Sequence, residues 1–322
     1  MVTTRLYRAG KLVKTDFPVA EISDYLQETD ATVWADFTSP TADDLAIIEE
    51  ELSLHHLAVE DAVTEHQRPK LDRYDSHMFL TAYAVDLDEK THALSKSEVK
   101  AFITARAVVT VHPESFDMAP IVQRWDTNPD LAKHGSAFLL WGLLDVIVDG
   151  HFETVQDLDG EIEQYEDLLF DGKNHGTEIQ RNSFELRKNL VMLRRAVLPM
   201  REVVNGLMRR DIELMDHEMV PYFQDVYDHV LRATEWTESL RDLVATILDT
   251  NLSIQSNRMN LIMKKVTSWA AIIAVPTAIT GFFGQNLRFV GFGTEWGTYL
   301  STGLIVVTGF ALYTSFKSRD WL

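Results

Sequence analysis

Hydrophobic and polar positions change their spacing along the chain in a way that divides it. In residues 1–145, short runs rich in β-branched and aromatic residues at 32–37, 77–85, 99–104 and 107–112 predict strands. Apolar positions at helical spacing over 41–54 and 136–148 predict helices between and after them. This first part therefore reads as an α/β domain. Residues 146–221 read as helix throughout. An acidic segment there (Glu153, Asp157, Asp159, Glu161, Glu163, Glu166, Asp167) is broken by Gly172 and Gly176. A basic segment with Arg187, Lys188, Arg194, Arg195 and Arg201 follows, which predicts an antiparallel hairpin with complementary charged faces.

After Pro221 there is no Gly or Pro until Pro276. An uninterrupted helix of about 55 residues would run roughly 80 Å at 1.5 Å per residue. Pro221 suits a first turn, where its missing N–H costs nothing. The helix is expected over 222–284, and its end coincides with an apolar stretch, 266–284. A loop, 285–296, leads to a second apolar stretch, 297–316, and a basic tail, 317–322. Neither stretch contains Asp, Glu, Lys, Arg or His, and at about 19 and 20 residues each is long enough to cross a bilayer. Lys264 and Lys265 precede the first and Lys317 and Arg319 follow the second, so both chain termini are expected on the cytoplasmic side of a cell (inner) membrane. The chain is thus read as an α+β membrane protein with a cytoplasmic α/β domain, a long helical stalk and two C-terminal transmembrane helices.

Composition sharpens this. The formal net charge is −19, and only Glu295 and Asp320 among the acids lie after residue 265. So acidic a cytoplasmic part disfavours nucleic acid and attracts cations. The absence of cysteine excludes disulfides, Cys-based zinc sites and thiol catalysis. No GxxxxGK[ST] loop and no Gly-x-Ser-x-Gly elbow are present, so no nucleotide is required and the chain is read as a non-enzyme. The opening Met1-Val2-Thr3-Thr4-Arg5 has no signal-peptide run, and insertion is expected to use the C-terminal spans.

Stepping alternately four and three residues from Asp249 gives Asp249, Ser253, Ser256, Asn260, Met263, Thr267, Ala270, Ala274, Thr277 and Gly281. This is the stripe a helix turns to its neighbours in a left-handed bundle. Here it is polar or small, whereas a dry seam would be Leu, Ile or Val, because buried hydroxyls and a lone Asp cost several kcal/mol. Such a stripe suits water or ions on the axis of an assembly of several chains. Small residues also suit simple packing between membrane helices.

These residues resemble the CorA family of magnesium/cobalt transport channels, whose first span ends in Gly-Met-Asn. Gly284-Gln285-Asn286 occupies that place. The run Val220-Pro221-Tyr222-Phe223-Gln224-Asp225-Val226-Tyr227-Asp228-His229 is similar to another family block, as are Glu60-Asp61, His66-Gln67-Arg68-Pro69-Lys70 and Leu198-Pro199-Met200-Arg201-Glu202. The resemblance covers nearly the whole chain. It implies a funnel-shaped homopentamer in lipid with a selectivity filter at Gly284, Gln285 and Asn286. Pore-lining positions carried over from the family are Asp249, Asn260, Met263, Val266, Ala274, Thr277 and Gly281. A regulatory inter-subunit magnesium site would use Asp88 and Asp225.

Magnesium holds its water in near-ideal octahedral geometry, so a filter of Asn286 carbonyls would grip the hydrated ion. Met263 and Val266 would form an apolar constriction and Asp249 a charged ring. A divalent ion moving down 100 mV gains about 4.6 kcal/mol, enough to drive influx. Two departures stand out: Gln285 replaces the family's Met, and the following loop keeps only Glu295 of the Met-Pro-Glu pattern. The ions implied are Mg2+ and Co2+, with Ni2+ or Zn2+ as alternatives on the same fold. A non-conducting, membrane-anchored cation sensor is the reading from another class. His55, His56, Glu60, Asp61 and His66 match no HExxH spacing and are read as capping and packing residues.

Overall fold

The computed structural model describes residues 1–88, 90–171, 175–209, 217–285 and 293–322. The chain divides into two compact units, Met1–Ile247 and Leu248–Leu322.

The first unit is built on seven strands: β1 (Val2–Arg8), β2 (Lys11–Thr15), β3 (Ala31–Thr38), β4 (Lys70–Arg73), β5 (Met78–Leu87), β6 (Leu94–Ile103) and β7 (Ala107–His112). Their order across the sheet is β2-β1-β3-β7-β6-β5-β4, antiparallel except for the parallel pair β3 and β7. Seven of the eight residues of β3 are buried, as befits a central strand covered on both faces. The period of two then sorts its side chains. Val33, Ala35 and Phe37 join one core with Phe79, Phe102 and Val109, while Trp34 joins the other with Leu80, Ala101 and Val108. The first core is closed by α1 (Ile22–Tyr25), α2 (Ala42–Leu52) and α3 (His56–Val63).

The second core is closed by α4 (Ala119–Thr127), α5 (Ser136–Phe170), α6 (Gly176–Leu207) and the start of α7 (Val220–Phe283). Trp125 of α4 is its keystone: it donates to Leu139 O at 3.1 Å and meets Trp34 edge-on at 4.9 Å. A Cβ on Gly142 would lie 2.4 Å from the Trp125 indole nitrogen, so this turn of α5 must be glycine for the helix to pass so close. Helix α5 runs through residues 145 and 146 without a break, so the helix expected over 136–148 is the first part of a 35-residue element. α5 and α6 do pack together. Their charged faces are not complementary partners, however: among the described residues no ion pair joins the acids of 153–167 to the bases of 187–201. Glu161 instead pairs with His92 and Arg194 with Glu238.

Helix α7 enters the first unit along a buried stripe of Met219, Phe223, Val226, Val230, Ala233, Thr237, Leu240, Val244 and Ile247, again stepping four and three. It continues into the second unit, where α8 (Glu295–Lys317) follows. Both helices are long and apolar enough to cross a membrane. α8 begins two residues earlier than the expected span, because Thr294 caps it by accepting from Gly297 N at 3.3 Å.

Candidate functional site

All ten stripe positions, Asp249, Ser253, Ser256, Asn260, Met263, Thr267, Ala270, Ala274, Thr277 and Gly281, lie on α7 and are exposed. Val266 beside them is 59% exposed. The stripe starts two residues after Ile247, the last large apolar residue of the buried stripe, and two residues correspond to about 200° around a helix. The polar stripe therefore starts on a different face of α7 from Ile247. That face offers, in order, a carboxylate, hydroxyls, the Asn260 amide, the apolar pair Met263 and Val266, and then small residues and the Thr277 hydroxyl. Within the second unit, Trp321 stacks on Phe316 at 5.7 Å and lines a pocket with Asn257, Asn260, Met263, Lys264 and Thr267. The end of the chain therefore lies beside the middle of the stripe.

Several hydroxyls on these helices bond back to their own helix, Thr277 among those of the stripe. Ser268 donates to Lys264 O and Thr277 to Ile273 O, each at 2.8 Å, and Thr308 donates to Leu304 O at 2.7 Å. At the end of α7, Gly284 N donates to Thr280 O at 2.8 Å, and a Cβ on Gly284 would sit 2.9 Å from that same oxygen. A glycine is thus the residue that lets the helix close there. Gln285 is exposed and its N–H reaches Phe282 O at 3.3 Å. Asn286 lies outside the described residues. Glu295 sits in the first turn of α8, where a negative charge is favoured by the helix dipole, rather than in the loop.

Asp88 and Asp225 are both exposed and are not joined to one another by any ion pair or hydrogen bond among the described residues. Asp88 closes the turn between β5 and β6, accepting from Lys90 N at 2.9 Å and Thr91 N at 2.7 Å. Those backbone bonds hold its pKa below the usual carboxylate value. Asp225 lies one turn before His229 on α7, beside a charged network that sequence reading missed. Arg124 pairs with both Asp145 and Asp149, at 2.8 Å to the latter, and His229 approaches Asp149 at 3.5 Å. Burial pushes the Asp145 carboxyl up to about 6, and the charges of Asp149 and Asp225 add to the rise. The available signal was Asp145 itself, a lone acid in the apolar run 136–148. Among the described residues no three His, Asp or Glu side chains of one chain converge as metal ligands.

Of the histidines of 55–66 only His55 takes the expected capping and packing position, while His56 and His66 are exposed and His66 lies 3.8 Å from Glu65. His55 caps α3 by accepting from Leu57 N at 3.2 Å and stacks on Tyr74, His56 pairs with Glu49 at 3.4 Å, and Asp61 holds Lys70 at 2.6 Å.

The family described as CorA-like Mg2+ transporter protein matches residues 29–317. The cobalt/magnesium transport protein CorA of Thermotoga maritima is 30% identical over 313 residues, covering 95% of this chain and 89% of that protein. The zinc transport protein ZntB of Yersinia enterocolitica is 23% identical over 291 residues, covering 89% of this chain and 86% of its own. Among solved structures, the complete CorA magnesium transporter from Methanocaldococcus jannaschii superposes with a TM-score of 0.79 at 21% identity, covering 100% of this chain and 99% of the other.

Proposed function

The chain belongs to the CorA-like Mg2+ transporter family, and from that premise we propose that it is a divalent cation channel in the cell membrane that carries Mg2+, and also Co2+, inward down the membrane potential. The observation that carries this reading is the exposed stripe of polar and small residues along the second-unit part of α7. A single helix encloses nothing, so the stripe functions when several copies, five by analogy with the family, turn it to a common axis. Asn286 then forms the entrance, its amide oxygens accepting from the water around a hydrated ion. Met263 and Val266 form a constriction that closes by dewetting. Asp249 concentrates cations near the cytoplasmic exit.

Regulation follows from the acids of the first unit. Mg2+ bound between copies through Asp88 and Asp225 neutralises exposed carboxylates, and its loss leaves them to repel. The existing hydrogen bonds of Asp88 keep it ionised and fixed in place for that role. No step calls for a nucleotide or for bond-making chemistry.

Ion entry into liposomes holding the purified protein tests this, with Mg2+, Co2+ and Zn2+ offered separately and internal Mg2+ varied. Mg2+ entry that is lost in Asn286→Ala and falls as internal Mg2+ rises is the expected result. Entry of Zn2+ alone would move the chain to zinc transport, the second reading, which Gln285 and the similarity to ZntB favour. No flux from an intact oligomer would leave a membrane-anchored sensor.

A further inference from the structure

Two exposed helix stripes in the first unit are left without partners, and each matches the other. On α5, Glu153, Asp157, Gly160, Gln164 and Asp167 follow one another by four and three residues, with Glu163 and Phe170 alongside. Phe170 is 76% exposed, and a Cβ built on Gly160 would meet nothing within 4 Å, so nothing among the described residues covers this face at these two positions. Glu153, Asp157, Glu163 and Asp167 are all exposed and make no ion pair among the described residues.

On α6, Phe184, Lys188, Val191 and Arg195 also step by four, three and four. They line a groove with Arg187 and with Lys96 of β6, whose ammonium lies 4.1 Å from the centre of the Tyr83 ring. Phe184 is 70% exposed, and the ion pairs of α6 are made elsewhere, by Arg181 and Arg194. Lys96, Arg187, Lys188 and Arg195 pair with no carboxylate among the described residues. In a chain with 49 acids and 30 bases, four unpaired cations around an apolar groove are unexpected. Charges left this way on an acidic protein await an acidic surface.

The geometry points to the acidic stripe of α5 on a second copy as the occupant of the basic groove of α6. The α5 stripe averages 3.5 residues per step and the α6 stripe about 3.67, each close enough to the 3.6 of a helix to stay on one face. Phe170 and Phe184 supply an apolar element to each side, and Gly160 permits close approach of the backbones. Each chain offers one stripe of each sign, so the contact is head-to-tail and repeats around a closed ring. It is separate from the Asp88 and Asp225 pairing and from the α7 stripe, and it ties neighbouring copies at the level of the first unit whether or not magnesium is bound. The inference rests on the proposed self-assembly but on none of its transport chemistry.

The absence of native cysteine makes a clean test available. Full-length Phe184→Cys is co-expressed in membranes with a differently tagged copy carrying Asp157→Cys, Glu163→Cys or Phe170→Cys, and the mixture is mildly oxidised. We expect a mixed-tag disulfide dimer with at least one of the three, and none when the second copy carries Ser23→Cys, on the other face of the sheet. Arg187→Glu with Lys188→Glu lowers the yield several-fold, and Glu163→Lys with Asp167→Lys on the other copy restores it. An oligomer of full size that gives none of these dimers overturns the contact alone. If Phe184→Cys is then also shielded from a maleimide, another acidic partner holds the groove. A chain that stays monomeric by light scattering overturns both the contact and the assembly.

Discussion

The two stretches of α7 obey the same step of four and three residues and do opposite things with it. Through the first unit the stepped positions are apolar and buried, from Phe223 through Val230 and Leu240 to Ile247. Through the second unit they are mostly polar or small and exposed, from Asp249 through Asn260 to Thr277. Around them Ile273, Val306, Val307 and Phe310, each more than 60% exposed, turn hydrocarbon outward. The first unit is finished by its own folding, because its apolar positions have found one another. The second has its apolar surface on the outside and its polar stripe largely exposed, which is the condition the proposed assembly in a membrane would complete.

The comparison breaks most openly by division. A fragment of residues 1–247 is expected to stay in solution without detergent after centrifugation, whereas the full chain sediments with membranes. A fragment that aggregates would mean that the first unit also depends on the second.

Within the first unit, Trp125→Ala is expected to cost about 3–5 kcal/mol, since it empties a buried site and removes the edge contact with Trp34. Urea unfolding of the full chain in detergent measures this. A replacement of equal size loss at exposed Trp269 in the second unit should leave the midpoint nearly unchanged.

The buried titrating groups of the first unit give a smaller, pH-dependent effect with two opposed signs. His151 is fully buried, its Nε2–H donating to Tyr83 O, and burial pulls its pKa down to about 4. Its contribution is present above pH 6.5 and is lost as pH falls from there toward 4. Asp145 is raised to about 6, so its contribution is greatest below the ordinary Asp value and is lost as pH rises through 6. His151→Gln should flatten the acid limb of a stability profile and Asp145→Asn the limb between 4 and 6, each by about 3 kcal/mol at most.

Smallest in stability is Asp88→Asn. The amide oxygen still accepts from the turn N–H groups, so unfolding should hardly change, while the internal Mg2+ level that slows flux should rise. An unchanged Mg2+ response would remove Asp88 from regulation.

Strands β3, β5, β6 and β7 were legible because both faces of each are largely buried and their residues are correspondingly apolar. β2 was not, because Lys11–Thr15 is an edge strand with every residue exposed, and neither was β4, four residues of which three are charged and none is buried. Long α7 was legible from the lack of Gly and Pro, and the stripe from its step. The network of Arg124, Asp145, Asp149 and His229 was hidden, since its members lie on three helices and only folding joins them. The supposed partnership of the α5 and α6 charges failed for a related reason: a period tells which residues share a face but not which way that face turns. Asn286 lies outside the described residues, and its role stands on the resemblance and on the flux experiment.

The hydroxyls bonded back to their own helix have a consequence for the sign of polarity that a span presents. A hydroxyl that has given its only proton to the carbonyl four residues back keeps lone pairs alone for whatever approaches from outside. Thr277, bonded to Ile273 O, is in this state. To lipid it is an aprotic, nearly ether-like surface, cheaper to insert than a free alcohol. To a hydrated cation it is a pure acceptor, able to accept a hydrogen bond from the ion's water and unable to donate one to an anion. A ring of such groups would discriminate by the direction of its hydrogen bonds, without carrying any net charge.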